Sequence, residues 1–489
     1  MKQIQDNEVR QKVDALLSRY ASAKKKRSAW ETLWEECYDF ALPQRGGFFY
    51  DTVSGEHKTN DIYDATAMDA ADQLASSLMG HLTPIFTPWF GLKPGPEMSE
   101  EDAQTFAPAL EKAGKIINDH FDRSNFAVEI HQCFLDLVVG GTASLFFEET
   151  QVGEFSAFKF TAAPLTHMVL EEGANGALNA AFREMKLTYE QLTSRYPDAL
   201  IPPAIIKRAT QDPQSSFKIL EAFIPEGLST KYHAILMEEG EDAQLLTQGQ
   251  FDQSPVINFR WSKAPGESYG RSPVMKALPD IKTANKVVEL VLKNASISVT
   301  GIWQADDDGV LNPANIELVP GSIIPKAVGS KGLQPLDMPS DFNLSQLVLE
   351  NLQSRIRHAL LADRLGPVNA GRMTATEVLE RSAEVALILG ATYGRLQSEL
   401  LTPLIKRAFA ILKRRGEIPD IELDGRMVMI DYRSPIARNQ GKASVQNTLS
   451  WINSTLAIGA QESIDLPAAA KYLGEALGVP SDLIKSETV

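Results

Sequence analysis

The longest helical pattern in this sequence constrains the fold more than any other feature. Apolar residues recur at three- and four-residue steps from Thr374 to about Arg415, and Gly416 ends the pattern. Thr374 with Glu377 three residues later predicts a capping box, which fixes the start of the helix. An unbroken helix of this length would measure roughly 60 Å, so it would cross a whole subunit. Pro403 lies inside the pattern and predicts a kink.

Two shorter helical patterns precede the long one and flank a different kind of segment. The first covers about residues 279–295, and Pro279 either kinks this helix or occupies its first turn. The second covers Phe342–Asp363 with its apolar residues on one face. Between them, residues 297–336 combine short alternating runs with Pro and Gly turns, which predicts a compact β insertion. The acidic run at 306–308 lacks the spacing and the final Glu of a calcium loop, so it predicts an acidic turn.

A short loop separates the second of these helices from the long one. Gly366, Pro367 and Gly371 prevent a continuous helix through residues 364–372. An arginine stands at each end of the loop, Arg364 and Arg372. We therefore predict a short loop that contributes little to the core.

The first half of the chain combines helices with short strands, which predicts an α+β body. Helical spacing covers about residues 7–42 and 65–82, and two further helices end at Gly140-Gly141. The apolar stretch 137–147 is broken by Gly, Thr and Ser, so it predicts core and not a membrane span. Strands are predicted at residues 143–149, 158–160, 167–170, 181–183, 217–224, 232–237 and 256–260, with a short helix at 188–196. After the long helix, strand-like runs at 421–423 and 428–431 lead to helices over about 443–485.

Composition and charge restrict the class of protein. The chain has 489 residues, 44% apolar and 23% charged, which is typical of a folded protein with more than one subdomain. We expect no secretory signal, and Cys37 and Cys133 fit folding in a reducing cytoplasm. A net charge of −15 argues against an ordinary nucleic-acid binder, but it suits a wall along which DNA must slide. The basic run at 24–27 is typical of a solvated helix face.

The sequence contains no recognisable catalytic or metal-binding motif. A GxxxxGK[ST] phosphate loop, HExxH and CxxC are all absent, and the seven histidines are dispersed. Gly270-Arg271-Ser272 resembles the start of a nucleophile elbow, but the closing glycine is missing. A turn at the start of a helix accounts better for Ser272. We therefore predict no catalytic residue, no metal and no cofactor.

Two long segments carry a family resemblance. Residues 269–285 (YGRSPVMKALPDIKTAN) closely resemble a signature of the head-to-tail connecting, or portal, proteins of short-tailed bacteriophages. The run Met373–Val378 with Arg381 resembles the same family. The order of the elements is also similar to that in these proteins: a helix, a β insertion, a second helix, a glycine-containing loop, a long kinked helix and a helical C-terminus. The similarity extends from the N-terminal helix to about Arg433.

The resemblance implies a portal-type fold within the α+β class. Such a fold has an α/β wing, a two-helix stem, a small β-rich clip, a long kinked helix and a helical crown. Carried over to this numbering, it implies a wing at 1–268 with 374–433 returning to it, stem helices at 269–296 and 342–363, a clip at 297–341, a tunnel loop at 364–373, the long kinked helix at 374–416, and a crown at 443–489.

The resemblance also implies a function without catalysis. It implies a homo-oligomeric ring, usually of twelve subunits, through which double-stranded DNA is packaged and ejected at one capsid vertex of the virion. The implied partners are a terminase packaging motor, a tail adaptor, and capsid and scaffolding proteins; no membrane is involved, and assembly takes place in the host cytoplasm. The clip would dock the motor and the tail through Trp303, Asp306, Asp307 and Asp308. The tunnel loop would border the DNA through Arg364, Leu365, Gly366, Pro367, Val368, Asn369, Gly371 and Arg372.

Several alternatives stay open at the level of sequence. Arg364 and Arg372 could form an inward-facing cationic ring, or they could pair with carboxylates of the stem or of a neighbouring copy. The chain as a whole could be a helical scaffold or adaptor without a channel, or an enzyme without a recognisable motif. A closed ring with a central hole would distinguish a portal subunit from a scaffold, an adaptor or an enzyme.

Overall fold

The computed structural model describes residues 2–49, 55, 58–85, 87–237, 243–300, 303–305, 328, 333–335, 342–365, 390–419, 423, 425–433, 435–460 and 463–477. Helices and β-sheets are combined throughout these ranges, so the α+β class is confirmed. Within them, no helix is long and apolar enough to cross a lipid bilayer.

The helices of the first half agree with the predicted ones to within a few residues, and one additional helix is present. The predicted helices near 7, 65, 101 and 188 begin at residues 2, 66, 100 and 189, whereas the helix at 203–211 had no clear signal. In chain order they are α1 (Lys2–Ala41), α2 (Thr66–Leu82), α3 (Glu100–Arg123), α4 (Phe126–Gly140), α5 (Tyr189–Arg195) and α6 (Pro203–Gln211).

The second half is built mainly from helices. In chain order they are α7 (Pro273–Thr300), α8 (Phe342–Ala359), α9 (Ala362–Leu365), α10 (Gly390–Leu396), α11 (Thr402–Arg415), α12 (Pro435–Ala457) and α13 (Leu466–Leu477). A π-helical turn, Gln397–Leu401, joins α10 to α11. The predicted capping box at Thr374 and Glu377 lies outside the described residues.

One prediction about α7 is wrong, and one of two open alternatives is excluded. The helix continues to Thr300, although the β insertion was predicted to begin at residue 297. The boundary was missed because residues 297–300 alternate between apolar and polar side chains, as a strand does. Pro279 lies in the helix interior, in the second turn, so the first-turn alternative is excluded and the kink alternative stays a prediction.

Four antiparallel sheets are formed by the described strands. A five-stranded sheet has the order β4-β5-β6-β7-β8, and a three-stranded sheet has the order β3-β2-β9; β1 pairs with β12, and β10 pairs with β11. The strands are β1 (Phe90–Pro94), β2 (Thr142–Glu149), β3 (Phe158–Ala163), β4 (Met168–Glu171), β5 (Ala180–Thr188), β6 (Ser216–Glu226), β7 (Ser229–Met237), β8 (Gln244–Phe251), β9 (Val256–Arg260), β10 (Trp303–Ala305), β11 (Leu333–Pro335) and β12 (Val428–Tyr432). All seven predicted strands of the first half are present.

The main core lies where α4 and β2 meet. The apolar stretch at 137–147 forms the end of α4 and most of β2, and its large side chains are buried, so the prediction that it is core is confirmed. Around it, rings from α3, α4, β2 and β3 pack together, among them Phe121, Phe147 and Phe160. This core holds together the helices and strands that precede α7 in the chain. We call this part of the chain the platform.

One strand pairing joins two segments that are far apart in the sequence. The predicted strand at 428–431 is present as β12, and it pairs with β1 in the register Phe90↔Tyr432 to Pro94↔Val428. No strand was predicted at β1, because this segment lies among several prolines. The described C-terminal segment is therefore tied back to the first half of the chain.

Candidate functional site

The segment that carries the family resemblance is a tight junction at the start of α7. Gly270 lies against Gly141, where the chain turns from α4 into β2, and a Cβ atom on Gly270 would lie 2.1 Å from the carbonyl oxygen of Gly141. The hydroxyl of Ser272 accepts a hydrogen bond from the N–H of Met275 at 2.9 Å and donates one to the carbonyl of Val139 at 2.8 Å. Ser272 is thus the buried N-cap of α7, as the helix-start prediction expected.

The neighbouring residues of this junction are also occupied by structural contacts. Tyr269 is buried, its hydroxyl accepts from the N–H of Leu170 at 3.0 Å, and its ring packs edge-on against Trp34. The guanidinium of Arg271 lies 4.6 Å from the centre of the Trp30 ring and forms two hydrogen bonds to the Glu267 carboxylate. The motif therefore orients α7 relative to the platform.

Helices α7 and α8 pack side by side as an antiparallel pair. Arg355 forms a 3.0 Å ion pair with Asp280, whereas the earlier residue Gln353 and the later residue Asn285 both contact Asp64. Sequence position therefore falls along α8 as it rises along α7. Buried side chains of the pair include Ala277, Ile281 and Ala284 on α7 and Leu352 and Ile356 on α8.

A short loop before α2 holds both helices of the pair. The side-chain oxygen of Asn285 accepts from the N–H groups of Tyr63 and Asp64, and its amide nitrogen donates to the carbonyl of Asp61 at 2.9 Å. The Asp64 carboxylate accepts from the Gln353 amide at 2.7 Å. Asn285 is itself buried and the four bonds are partly buried, so together they hold the pair against the platform.

Beyond Asn285 the pair projects away from the rest of the chain. None of the side chains described between 286 and 296 is buried, and none is buried on α8 before Leu352. Since α7 continues for fifteen residues after Asn285, the projection measures about 22 Å. Its exposed apolar side chains are Leu290 at 51%, Leu292 at 52%, Leu347 at 66% and Val348 at 44%.

The projecting part of α7 carries two lysines and one glutamate, a net charge of +1. Glu289 accepts hydrogen bonds from Lys286 at 2.9 Å and from Lys293 at 2.5 Å. These two bonds, from Lys286 first and Lys293 second, lower the pKa of Glu289. The projecting surface therefore combines a small charge cluster with exposed apolar side chains.

At its other end, α8 stops abruptly at a backbone irregularity. Leu361 has a φ of 59°, in the left-handed region that a leucine rarely adopts, and it separates α8 from the single turn α9. Leu360 is fully buried beside it, and the core contact holds this conformation. The helix that was predicted to extend to Asp363 is therefore interrupted at Leu361, two residues before its predicted end. Arg357 and His358 are exposed in the last turn of α8, where positive charge suits the helix dipole.

The residues predicted for the channel and the docking site fall only partly within the described chain. Arg364 and Leu365 lie in α9, while Gly366, Pro367, Val368, Asn369, Gly371 and Arg372 lie outside the described residues. Trp303 lies in β10 opposite Pro335 of β11, so the short strands predicted in the β insertion are confirmed at this pair. Asp306, Asp307 and Asp308 lie outside the described residues.

The long helix carries a π-helical turn instead of a simple proline kink. Pro403 has no N–H, so the carbonyl of Glu399 loses its usual helical partner, and the helix widens just before the proline. The hydroxyl of Thr402 donates to the carbonyl of Gln397 at 2.8 Å and lies 2.7 Å from the Tyr432 hydroxyl. The irregular turn is thereby connected to β12.

A buried ion pair fastens the π-helical turn to the platform. Glu399 accepts from the Arg260 side chain, with a shortest distance of 2.6 Å, and from the Arg260 backbone N–H at 2.9 Å. The same guanidinium donates to the carbonyls of Ser268 and Gly176. Arg260 therefore joins β9, the loop before α7 and the long helix. Neither residue carried a signal in the sequence, because the pairing depends on residues 139 positions apart.

No cluster of metal-ligating side chains is found in the described ranges. They contain no group of three or more His, Cys, Asp and Glu side chains arranged to hold a metal ion. The nitrogen Nε2 of His120 contacts the Glu417 carboxylate at 2.7 Å, and Nδ1 of the same ring accepts from the N–H of Ala157. This histidine therefore has a structural role between α3 and the β3 strand.

The family is shown by a match over nearly the whole chain. The model of the family described as "Bacteriophage head to tail connecting protein" matches residues 13–484. This protein belongs to that family, so the resemblance inferred from residues 269–285 and 373–381 is confirmed.

Curated relatives of this chain are proteins of tailed phages. A "Probable portal protein" of Bordetella phage BPP-1 is 24% identical, over 96% of this chain and 88% of its own length. The "Portal protein" of Salmonella phage epsilon15 is 24% identical, over 97% of this chain and 89% of its own length. The "Portal protein" of Enterobacteria phage T3 is 22% identical, over 95% of this chain and 87% of its own length.

Proposed function

We propose that this chain is a portal subunit, one copy of a ring through which double-stranded DNA enters and leaves a phage capsid. Its family and the names of its relatives support this role. The structural observation that carries the proposal is the projecting α7–α8 pair, on which Leu290, Leu292 and Leu347 are each more than half exposed. A ring of copies supplies partners for these side chains, because each pair lies between two others.

The parts of the chain would then have the following roles. Residues 1–268, with 374–433 returning to them, form the wing, and the pair at 269–296 and 342–363 forms the stem around the channel. Residues 297–341 are the clip, residues 364–373 are the tunnel loop, 374–416 are the long kinked helix, and 443–489 are the crown.

The energetics of the projecting pair favour self-association. Four exposed leucine and valine side chains on a rod about 22 Å long form more apolar surface than isolated surface residues do. Complete burial of a fully exposed side chain of this size is worth about 1.5–3 kcal/mol, and since these four are about half exposed, each would contribute about half of that. A ring repeats the contact at every subunit, so a modest energy for each interface is sufficient to close the assembly.

The mechanism is passive, and a separate ATP-driven terminase motor supplies the work. A charge of −15 makes the subunit as a whole acidic, which would limit its overall attraction for phosphate and let the DNA slide. Arg357 and His358, at the end of α8, lead into the tunnel loop with Arg364 and Arg372 at its ends. In the ring these cations would touch phosphates transiently and position the duplex. Trp303 and the acidic run at 306–308 would dock the motor during packaging and the tail adaptor later.

The ring is located at one vertex of the virion. Assembly with capsid and scaffolding proteins would take place in the host cytoplasm. The chain itself needs no cofactor and performs no catalysis in this mechanism.

The experiment that tests the proposal compares assembly of the wild type with a variant of the projecting pair. We expect Leu290→Lys with Leu347→Lys to sediment as a smaller species than the wild type in analytical ultracentrifugation at equal concentration. Leu228→Lys is the matched control, because Leu228 is completely exposed at the β6–β7 turn and is not part of any contact that we propose between copies. The proposal fails if the double variant assembles like the wild type, or if the wild type forms no species larger than a dimer at any concentration.

A further inference from the structure

The turn between β2 and β3 displays two large apolar side chains in solvent. In this β2–β3 tip, residues 150–157, Val152 is 93% exposed and Phe155 is 90% exposed. Hairpin turns usually carry small and polar residues. Two large apolar side chains at one tip therefore form a protruding contact surface.

The tip is held rigidly at its base. Thr150 pairs with Ser156 and Ala157 through a side-chain hydrogen bond of 2.5 Å and a backbone bond of 3.0 Å. The Ser156 hydroxyl donates to the carbonyl of His120 at 2.7 Å, and the Arg415 guanidinium donates to the Thr150 carbonyl. Because the base is ordered before any contact forms, docking would cost little conformational entropy.

A groove on another part of the chain is suited to receive such a tip. The α1–β4 groove lies between α1, the edge strand β4 and the loop before α7, and it has a volume of about 430 Å³. Its apolar wall consists of Ala29, Trp30, Leu33 and Leu170. An apolar cavity of about 150 Å³ accepts a benzene ring, so the groove has room for the Phe155 ring and the Val152 side chain together.

The charges of the two surfaces complement one another at one position. Glu171, Glu172 and Glu267 also line the groove, but each is paired with a cation, with Arg19, Lys263 and Arg271 respectively. Glu154 stands between the two apolar residues of the tip, and Lys26 lines the groove. Among the described residues, no ion pair joins either side chain to another group. Insertion of the tip would bring the carboxylate of Glu154 to the ammonium group of Lys26 at the rim.

The tip and the groove cannot meet within one chain. Strand β2 begins beside the Gly141–Gly270 junction, next to the groove, and ends at the tip. Its eight residues separate the two surfaces by about 26 Å. Two complementary surfaces at opposite ends of one strand make a head-to-tail contact, which is the kind that generates rings.

We propose that Val152 and Phe155 of each copy insert into the α1–β4 groove of the next copy around the ring. The proposal rests on the proposed function, since it names a contact between neighbouring copies of the assembled chain. It is a different contact from the one made by the projecting α7–α8 pair, because it uses none of the residues of that pair.

Cysteine cross-linking tests this contact directly. Phe155→Cys combined with Ala29→Cys should, after mild oxidation of the assembled protein, give covalent multiples of the chain on a non-reducing gel. The native Cys37 and Cys133 are buried and do not interfere. Leu228→Cys combined with Ala29→Cys is the control and should stay monomeric on the gel. The proposal is overturned if the first pair does not cross-link within intact rings, or if the control pair cross-links equally well.

A charge exchange provides an independent readout. Glu154→Lys should weaken assembly by about tenfold at low salt, since like charges would meet at the rim. Adding Lys26→Glu should restore it, whereas Lys26→Glu alone should weaken it. If none of the three variants changes assembly, the proposed contact is overturned, but the proposal that the chain forms a ring is not. A wild type without rings in electron micrographs overturns both this contact and the proposed function.

Discussion

The buried ion pair between Arg260 and Glu399 offers a quantitative test of how the long helix is fixed. The Arg260 side chain is 1% exposed and that of Glu399 is 12% exposed, so water cannot replace either partner. Glu399→Leu would leave the guanidinium with only its two carbonyl partners. Removing one member of a buried pair costs about 3–5 kcal/mol, and we expect a loss of that size in the free energy of unfolding.

The double variant Arg260→Met with Glu399→Leu separates charge from packing. Apolar replacement of a complete buried pair is often neutral or stabilising. Here it also removes donors from the carbonyls of Ser268 and Gly176, at about 1 kcal/mol each. We therefore expect the double variant to lie within about 2 kcal/mol of the wild type, and to be more stable than Glu399→Leu alone.

The measurement is urea unfolding followed by tryptophan fluorescence, because Trp261 adjoins Arg260 in the chain. Arg395→Ala serves as control: Arg395 also contacts Glu399, at 3.2 Å, but its side chain is 31% exposed, so the loss should stay below about 1 kcal/mol. The reasoning is refuted if Glu399→Leu costs less than this control, or if the double variant is the least stable of the three.

Two further predictions concern the start of α7 and the behaviour in acid. Ser272→Ala should lower the free energy of unfolding by about 1 kcal/mol, because the N–H of Met275 loses its cap; an unchanged urea midpoint would contradict this. Burial raises the pKa of Glu184, but hydrogen bonds, that from Lys24 first, lower it to about 2, below the usual 4.5. Its stabilisation is therefore complete above pH 4.5 and is lost as the pH falls toward 2. The stability difference between wild type and Glu184→Gln should shrink over that interval, and a difference that is constant with pH would contradict the assignment.

Local chemistry in the sequence predicted much of the fold. Gly141 and Gly416 end α4 and α11 with φ values of 76° and 72°, as glycines placed after helical patterns should. Ser272 caps α7 as its position before a proline-led helix suggested. The short apolar runs of the first half predicted every strand of the two larger sheets except β8, whose burial pattern is mostly half-buried or exposed.

Features that depend on contacts between distant residues could not be predicted from the sequence. The pairing of β1 with β12 joins segments more than three hundred residues apart, and no local pattern encodes it. The left-handed conformation of Leu361 is held by the surrounding core, and the π-helical turn depends on Pro403 together with the contact between Thr402 and Tyr432. The exposed leucines of α7 and α8 could not be distinguished from core positions by helical spacing alone, because both follow the same period.

The central claim is tested most directly by electron microscopy of the purified protein, with its mass measured in solution. The account predicts rings with a central hole wide enough for a duplex of roughly 20 Å across, and a mass near that of twelve chains of 53.7 kDa, about 644 kDa. A compact dimer or tetramer without a hole would contradict it and would favour an adaptor or an enzyme instead.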